Sequence, residues 1–380
     1  MTFTRLLLAT WVLVMAVAVG VAADAPLATA PTVAPAAPAA APAVQVLLPY
    51  DYRVFQRNAQ NQAQVPVKVK AVGASATARL VLLPNYKGQD VDWTALTAAA
   101  EGTFSGALTA QAGGWYKLEV KVTDAAGAVT TGEVAHVGVG EVFITAGQSN
   151  AGAYGNPKQK ATDDRVVHFI PWEVTGYWAP AEDPRCAGFG NGGSPWPHLG
   201  DMLARTLQMP IAFGGNGIGG SGTADWIPEN PKGSIRWLAG SLKNLEPNGV
   251  RLVLWHQGET DAATKVGAEE YARRLTAMMQ YLDKEIGWHL PWMVAQASFA
   301  QATPEADRAA VRAGQRLLWE RGLALQGPLT DDLIGPVYRS PDLIHFNQLG
   351  LTTHAERWYA MLWAQVYAEP PLRAEVVSGK

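Results

Sequence analysis

The chain has 380 residues, 30 Lys and Arg against 33 Asp and Glu, a net charge of −3 and a single cysteine, Cys186. That length exceeds one small domain, the charge balance offers no basic stripe to draw nucleic acid, and one cysteine excludes a disulfide framework. Hydrophobic residues make up 48% and charged residues 17%, so most of the chain has the material for a packed core.

In chain order, Arg5 opens a positive start, Leu6 to Val21 is a long apolar run, and Val21-Ala22-Ala23 supplies small residues before Asp24. This predicts an export signal over 1–23 that is cleaved, with an uncleaved anchor as the alternative because the run approaches ~18 residues. Either way the protein is expected to be secreted or periplasmic, with no membrane contact beyond the signal segment. Residues 24–44 are nearly all Ala, Pro, Val and Thr and predict a stiff, extended linker. Residues 45–138 read as a small all-β sandwich. Val65, Val67 and Val69 alternate with Pro66, Lys68 and Lys70, and Leu118, Val120 and Val122 with Lys117, Glu119 and Lys121. No exposed aromatic row is evident there, so a spacer or lid-bearing accessory domain is favoured over a sugar-binding one.

From Glu141 the pattern changes. Apolar runs at 142–146, 166–170, 211–214, 252–255 and 292–297 predict buried strands, and the three- and four-residue steps of Tyr271, Leu275, Met278, Leu282 and Ile286 predict a helix between two of them. Leu351, Ala355, Trp358 and Leu362 predict another. Strands alternating with helices imply an α/β domain over 139–368 with a parallel sheet covered on both faces, followed by a tail over 369–380. In such sheets the chemistry lies beyond the carboxyl ends of the strands.

Four segments fall there. Gly147-Gln148-Ser149-Asn150 follows the first strand, and places Ser149 on a strand-to-helix turn, either as a nucleophile or as an ordinary N-cap. Asp342-Leu343-Ile344-His345 places an acid and an imidazole on the same side of one turn, either as proton-relay partners of Ser149 or as a surface pair. Trp255-His256-Gln257-Gly258-Glu259-Thr260-Asp261 presents Gln257, which can donate to an oxyanion, and Glu259, which can orient its neighbours; a simple capping loop is the plainer reading. Gly214 to Thr223 contains Gly215-x-Gly217-x-x-Gly220, a dinucleotide-like spacing, but the next strand ends in His256 and Gln257 with no acid to hold a ribose. An amide presented to an oxyanion is the better account. No His-Glu-x-x-His or paired-cysteine pattern suggests a metal, and no cofactor is expected. His136, His168, His198, His289 and His354 read as packing or surface residues.

Taken together in this order, Gly-Gln-Ser-Asn at 147–150, Gln-Gly-Glu at 257–259, Arg312 and Gln315 in one helix, and Asp-x-x-His at 342–345 resemble the SGNH hydrolases, in the sialate O-acetylesterase and acetylxylan esterase branch. The resemblance covers about 141–366. It implies a three-layer α/β/α, flavodoxin-like domain with Ser149 as nucleophile, His345 as general base and acid, and Asp342 as its orienter. It also implies an oxyanion hole made of the Ser149 amide, a glycine amide and the Gln257 side chain, with Asn150 and Glu259 in support. The glycine is Gly220 if Gly219-Gly220-Ser221 takes the place of the branch's Gly-Gly-Thr, with Trp226 as the tryptophan that follows it; Gly222-Thr223 is a rival alignment.

The implied activity is removal of acetyl groups from a carbohydrate partner. Trp178, Trp196 and Trp226 are candidates to stack on the sugar, or else are core residues. An acetyltransferase with the same triad, and a noncatalytic carbohydrate-binding protein, are the competing readings.

Overall fold

The computed structural model describes residues 44–170, 177–243, 245 and 249–368. The expected export signal, all but the last residue of the linker, the tail and a short stretch containing Trp172 lie outside the described residues. Among the described residues, no helix is long and apolar enough to cross a membrane.

The first part is all β, from β1 (Val44–Leu48), β2 (Arg53–Gln56), β3 (Gln62–Ala71), β4 (Ser75–Leu82), β5 (Val91–Ala99), β6 (Thr103–Gln111) and β7 (Trp115–Thr123) to β8 (Val129–Gly147). One sheet runs β1-β3-β6-β5 and the other β5-β4-β7-β8. β5 belongs to both, pairing with β4 through Val91 to Leu96 and with β6 through Thr97 to Ala99. The two-residue period explains the packing: Val65, Val67, Val69, Leu118, Val120 and Val122 are buried together with Phe104 and Leu108.

β8 is 19 residues long and does not stop where the all-β part ends. Val129 to Gly138 pair with β7, Val137 to Gly140 pair with β2, and Glu141 to Gly147 become a central strand of a second, parallel sheet. A domain boundary at 138/139 therefore falls inside one continuous strand. The glycines at 138 and 140 admit Pro210 against the strand.

The second sheet adds β9 (Val166–Phe169), β10 (Trp178–Pro180), β11 (Ile211–Gly217), β12 (Leu252–His256), β13 (Trp292–Gln296) and β14 (Leu325–Leu329), in the order β10-β9-β11-β8-β12-β13-β14. β10 is antiparallel and the rest are parallel. Without the edge strands β9 and β10, the order is that of a flavodoxin-like sheet. Among the described residues, seven α-helices accompany it: α1 (Trp196–Leu207), α2 (Ser234–Leu242), α3 (Glu259–Ala263), α4 (Ala268–Ile286), α5 (Glu305–Glu320), α6 (Gly335–Tyr338) and α7 (Gln348–Leu362). Alternate residues of β8 serve opposite faces. Val142, Ile144 and Ala146 pack with α2, α4 and α5, whereas Phe143 packs with α1 and α7. The result is the three-layer α/β/α arrangement expected from the sequence.

Because β8 enters the parallel sheet from the all-β part, that part joins the sheet at its amino edge. The carboxyl edge, where Ser149 follows β8, is the opposite one. An accessory lid over Ser149 is not what this connection builds.

Candidate active site

The strand order reverses between β8 and β12, so a crevice opens past their carboxyl ends. The turn after β8 is shaped by Gly147, whose φ of +133° is one that residues with side chains rarely adopt. A Cβ at this position would lie 2.0 Å from the His256 carbonyl oxygen. Gln148 N–H donates to that same carbonyl at 3.1 Å, which locks the turn onto the end of β12. The amides of Ala151 and Gly152 then donate to the Gln148 carbonyl, and Trp196 Nε1 donates to the Ala151 carbonyl at 2.8 Å. Ser149 is 6% exposed, and neither its amide nor its hydroxyl has a hydrogen bond among the described residues.

The loop before α7 supplies the acid and the imidazole. Asp342 Oδ2 meets His345 Nδ1 at 2.7 Å, while Asp342 Oδ1 accepts from the amides of Ile344 and His345. Partial burial raises the Asp342 carboxyl, but the two amides and the imidazole outweigh it and hold the group below the usual carboxylate range. Leu343 takes a left-handed φ of +57°, closing a turn in which Ser340 N–H donates to the His345 carbonyl.

Asn150 ties this loop to the serine turn. Its Nδ2 donates to Glu259 Oε1 at 2.9 Å and to the Ile344 carbonyl at 3.3 Å. The neighbours of Ser149 and His345 are thus bonded to each other. Burial raises the Glu259 carboxyl, opposed by the Asn150 bond. The Ile344 carbonyl also accepts from Arg339 Nη1 at 2.6 Å. Arg339 is buried, which lowers its guanidinium to about 10, and it stacks on Phe346 at 3.9 Å.

The sequence signals for Asn150 and Glu259 as supporting residues fit these contacts. The one for Gln257 does not. Its Nε2 is taken up by Asp261 Oδ2 at 2.5 Å and Gln148 Oε1 at 3.2 Å, and the side chain is fully buried. An anionic acceptor beside it outcompetes a site that carries charge only in a transition state. Gln257 therefore fastens the β12 loop to the serine turn and has no N–H left to aim at Ser149. Gln315 continues the same support, donating to the Gln257 carbonyl at 3.0 Å. Arg312 points elsewhere, to Asp331 and Ser298.

Gly220 is exposed with a φ of +69°, and its amide has no partner among the described residues. The rival Gly222-Thr223 is engaged: Gly222 N–H donates to Asp225, and Thr223 donates through both amide and hydroxyl to Asp261. That leaves Gly220 as the glycine of the pair with a free amide.

The three tryptophans are core residues. Trp196 and Trp226 are fully buried, and Trp178 is 8% exposed and stacked on Phe169 at 4.5 Å. Trp226 donates through Nε1 to Ser221 Oγ at 2.9 Å and meets Trp255 edge-on, so it supports the glycine loop from below. None of these rings offers a face to a sugar.

Two residues were not anticipated. Tyr154 stacks on His345, with ring centroids 5.4 Å apart, and its hydroxyl fills the space where a Cβ on Gly219 would stand. Asp261 gathers Gln257, Thr223 and Arg274, the last at 3.6 Å. A signal for Asp261 existed, since it stands one helical turn after Gln257; Tyr154 gave none. Among the described residues, no group of three or more acids, histidines or cysteines is placed to hold a metal.

Residues 139–321 match the family described as carbohydrate esterase, sialic acid-specific acetylesterase. Among solved structures, a carbohydrate acetylesterase from Xanthomonas citri is similar in fold, with a TM-score of 0.57 and 22% identity over 87% of this chain and 76% of that one. A protein from Arabidopsis thaliana is matched with a TM-score of 0.45 and 18% identity, over 59% of this chain and 98% of that one. A psychrotrophic esterase from Pseudoalteromonas sp. is matched with a TM-score of 0.40 and 12% identity, over 59% and 97%. No curated protein matches the sequence.

Proposed function

We propose that this chain, whose residues 139–321 match a carbohydrate-esterase family, is an SGNH-type ester hydrolase that removes O-acetyl groups from a saccharide through Ser149, His345 and Asp342. The observation that carries this reading is the Asp342–His345 pair at 2.7 Å, on a loop bonded by Asn150 to the turn that bears Ser149.

In this mechanism His345 Nε2 takes the Ser149 proton as Oγ attacks the acetyl carbonyl. Asp342 holds the Nδ1–H and stabilises the imidazolium. The Ser149 and Gly220 amides donate to the oxyanion, each worth about 3 kcal/mol in comparable sites. The sugar hydroxyl leaves with the proton from His345, and water then attacks the acetyl-enzyme by the same route. Contact between Ser149 Oγ and His345 is made as substrate binds, a common tightening of free-enzyme geometry. Water as the acceptor, in preference to a second sugar, is supported by the exposure of the acid and the imidazole: the Asp342 side chain is 45% and that of His345 20% exposed. The apolar leader at 1–23 supports an exported enzyme.

The test is acetate release by residues 24–380 from an aryl acetate and from acetylated polysaccharides. Ser149→Ala is expected to reduce kcat by about 10⁴-fold or more, and Asp342→Asn by about 10⁴-fold. Activity in Ser149→Ala comparable to wild type would remove the proposed nucleophile.

A further inference from the structure

At the amino edge of the parallel sheet, a cleft of 320 Å³ opens between the all-β part and the α/β part. Tyr52, Leu83, Tyr86 and His136 line it from one side, and Lys160 to Asp164 from the other. It is separate from the candidate active site. Val166, in its wall, stands in register with Ile211 and Glu141 at the start of the parallel strands, while Ser149 follows their far end. Seven residues of β8, Glu141 to Gly147, span that interval, which sets the two edges ~20 Å apart.

The walls are fixed. Asp201 accepts from the amides of Thr162 and Asp163 and from the Thr162 hydroxyl, at 2.7 to 3.0 Å, and pins the 160–164 loop. Tyr86 Oη bonds Asp164 across the cleft at 2.5 Å. Tyr52 stacks on His136 with centroids 4.3 Å apart and planes 9° from parallel, and Asp51 holds His136 through both its amide and Nδ1. Trp115 meets Tyr52 edge-on at 5.7 Å, so the ring is held from two sides in the wall of the cleft.

Tyr52 does this at a cost. Its φ is +62°, a left-handed conformation uncommon for an aromatic residue. Such strain persists where the surroundings impose it, and it clusters at ligand sites. The acids around the cleft are held by hydrogen bonds: Asp163 pairs with Arg165, Asp164 accepts from the Tyr86 hydroxyl, Asp51 from His136, and Lys160 lies 3.7 Å from Glu182. A site with an aromatic ring in its wall and fixed carboxylates that can accept from hydroxyls suits a ligand with an apolar C–H face and many hydroxyls, and disfavours an anionic one.

We propose that this cleft is a second saccharide site, holding a neutral sugar segment of the polymer whose acetyl groups are removed at the opposite edge. The proposal rests on the reading that the substrate is a carbohydrate. The aryl acetate test above does not depend on it.

The experiment uses full-length mature chain in the Ser149→Ala form, so that binding is read without turnover. Retardation in native gels containing non-acetylated xylan or glucomannan is compared with that of Tyr52→Asn, since asparagine tolerates a left-handed backbone and removes the ring, and with that of Tyr52→Phe. The expected result is retention by the parent and Tyr52→Phe, and loss by about tenfold in Tyr52→Asn. With Ser149 restored, Tyr52→Asn is expected to raise KM for acetylated polymer while leaving aryl acetate kinetics unchanged. Hydrogen exchange of the parent with xylohexaose provides a reading with the cleft itself unaltered, with protection expected at residues 50–53 and 160–165. No retardation by either polymer, equal retardation of Tyr52→Asn and parent, or protection confined to other segments would each overturn the proposal. An inactive wild type that still binds xylan would instead sink the esterase mechanism and leave this cleft standing.

Discussion

His256 and His354 lie against each other with ring centroids 4.6 Å apart, both in contact with Phe346 next to the candidate general base. Each leaves Nδ1 without a partner among the described residues. Burial lowers His256 to about 3 and takes His354 well below its ordinary value, and nearby positive charge adds to both effects. Both rings are therefore neutral in the folded protein. Above pH 6.5 neither state binds a proton and they confer no pH dependence. As pH falls from 6.5 towards 3, the unfolded chain gains protons that the folded one refuses, and stability is lost at up to about 1.4 kcal/mol per pH unit for each histidine. Tm is expected to drop on acidification over this window, and less steeply in His256→Gln; an unchanged slope in that variant would show the acid sensitivity to lie elsewhere. At this scale the sequence was legible where chemistry is local. Asp342 and His345 are three apart and meet within one turn. It misled where a role depends on what else is near: Gln257 can donate to an oxyanion, but Asp261, folded back one helical turn away, takes its amide. A tryptophan in a glycine- and proline-rich stretch looks the same whether its ring faces water or, as for Trp196, the core.

The element that most constrains the site is the end of β8. Gly147 pairs with Gly217 on one side and with His256 on the other, and its absent side chain lets the β12 carbonyl reach the Gln148 amide. Gly147→Ala forces a Cβ into that carbonyl and an L-residue into a positive φ. The expected cost is about 3 kcal/mol or more, read as a lower denaturation midpoint at unchanged m-value, together with loss of esterase activity. A variant with wild-type stability would mean that the turn can rearrange. The strands and helices of the α/β part were legible because their apolar periods are strict: the run at 252–255 became β12, and the stepped residues from Tyr271 to Ile286 became α4. The length of β8 was not, because its middle glycines carry no apolar signal and are admitted for the approach of Pro210.

Across the whole molecule, the described residues fall in one compact unit. Glu141 stands where the two sheets meet. Fully buried, it pairs with Arg57 at 2.6 Å and Arg251 at 2.7 Å and accepts from Gln56 Nε2 at 2.9 Å. Arg57 and Gln56 come from the all-β side, and Arg251 precedes β12. Glu141→Gln leaves two guanidinium groups facing a neutral amide and is expected to destabilise by about 3–5 kcal/mol. Both halves are expected to melt in a single transition, before and after the substitution. Loss of activity at one temperature and of β-sheet signal at another would show that they unfold separately. An acid at 141 gave no such sign in the sequence, since its two arginine partners lie 84 and 110 positions away.

The run of β8 through both sheets has a mechanical meaning. No loop stands between the strand that closes the sandwich and the turn that presents Ser149, so there is no slack to take up. Force applied to the sandwich travels along one backbone to the turn that bears Ser149. The sandwich and the turn that bears Ser149 are thus ends of one strand, and the sandwich is not joined to the α/β part through a hinge at that point.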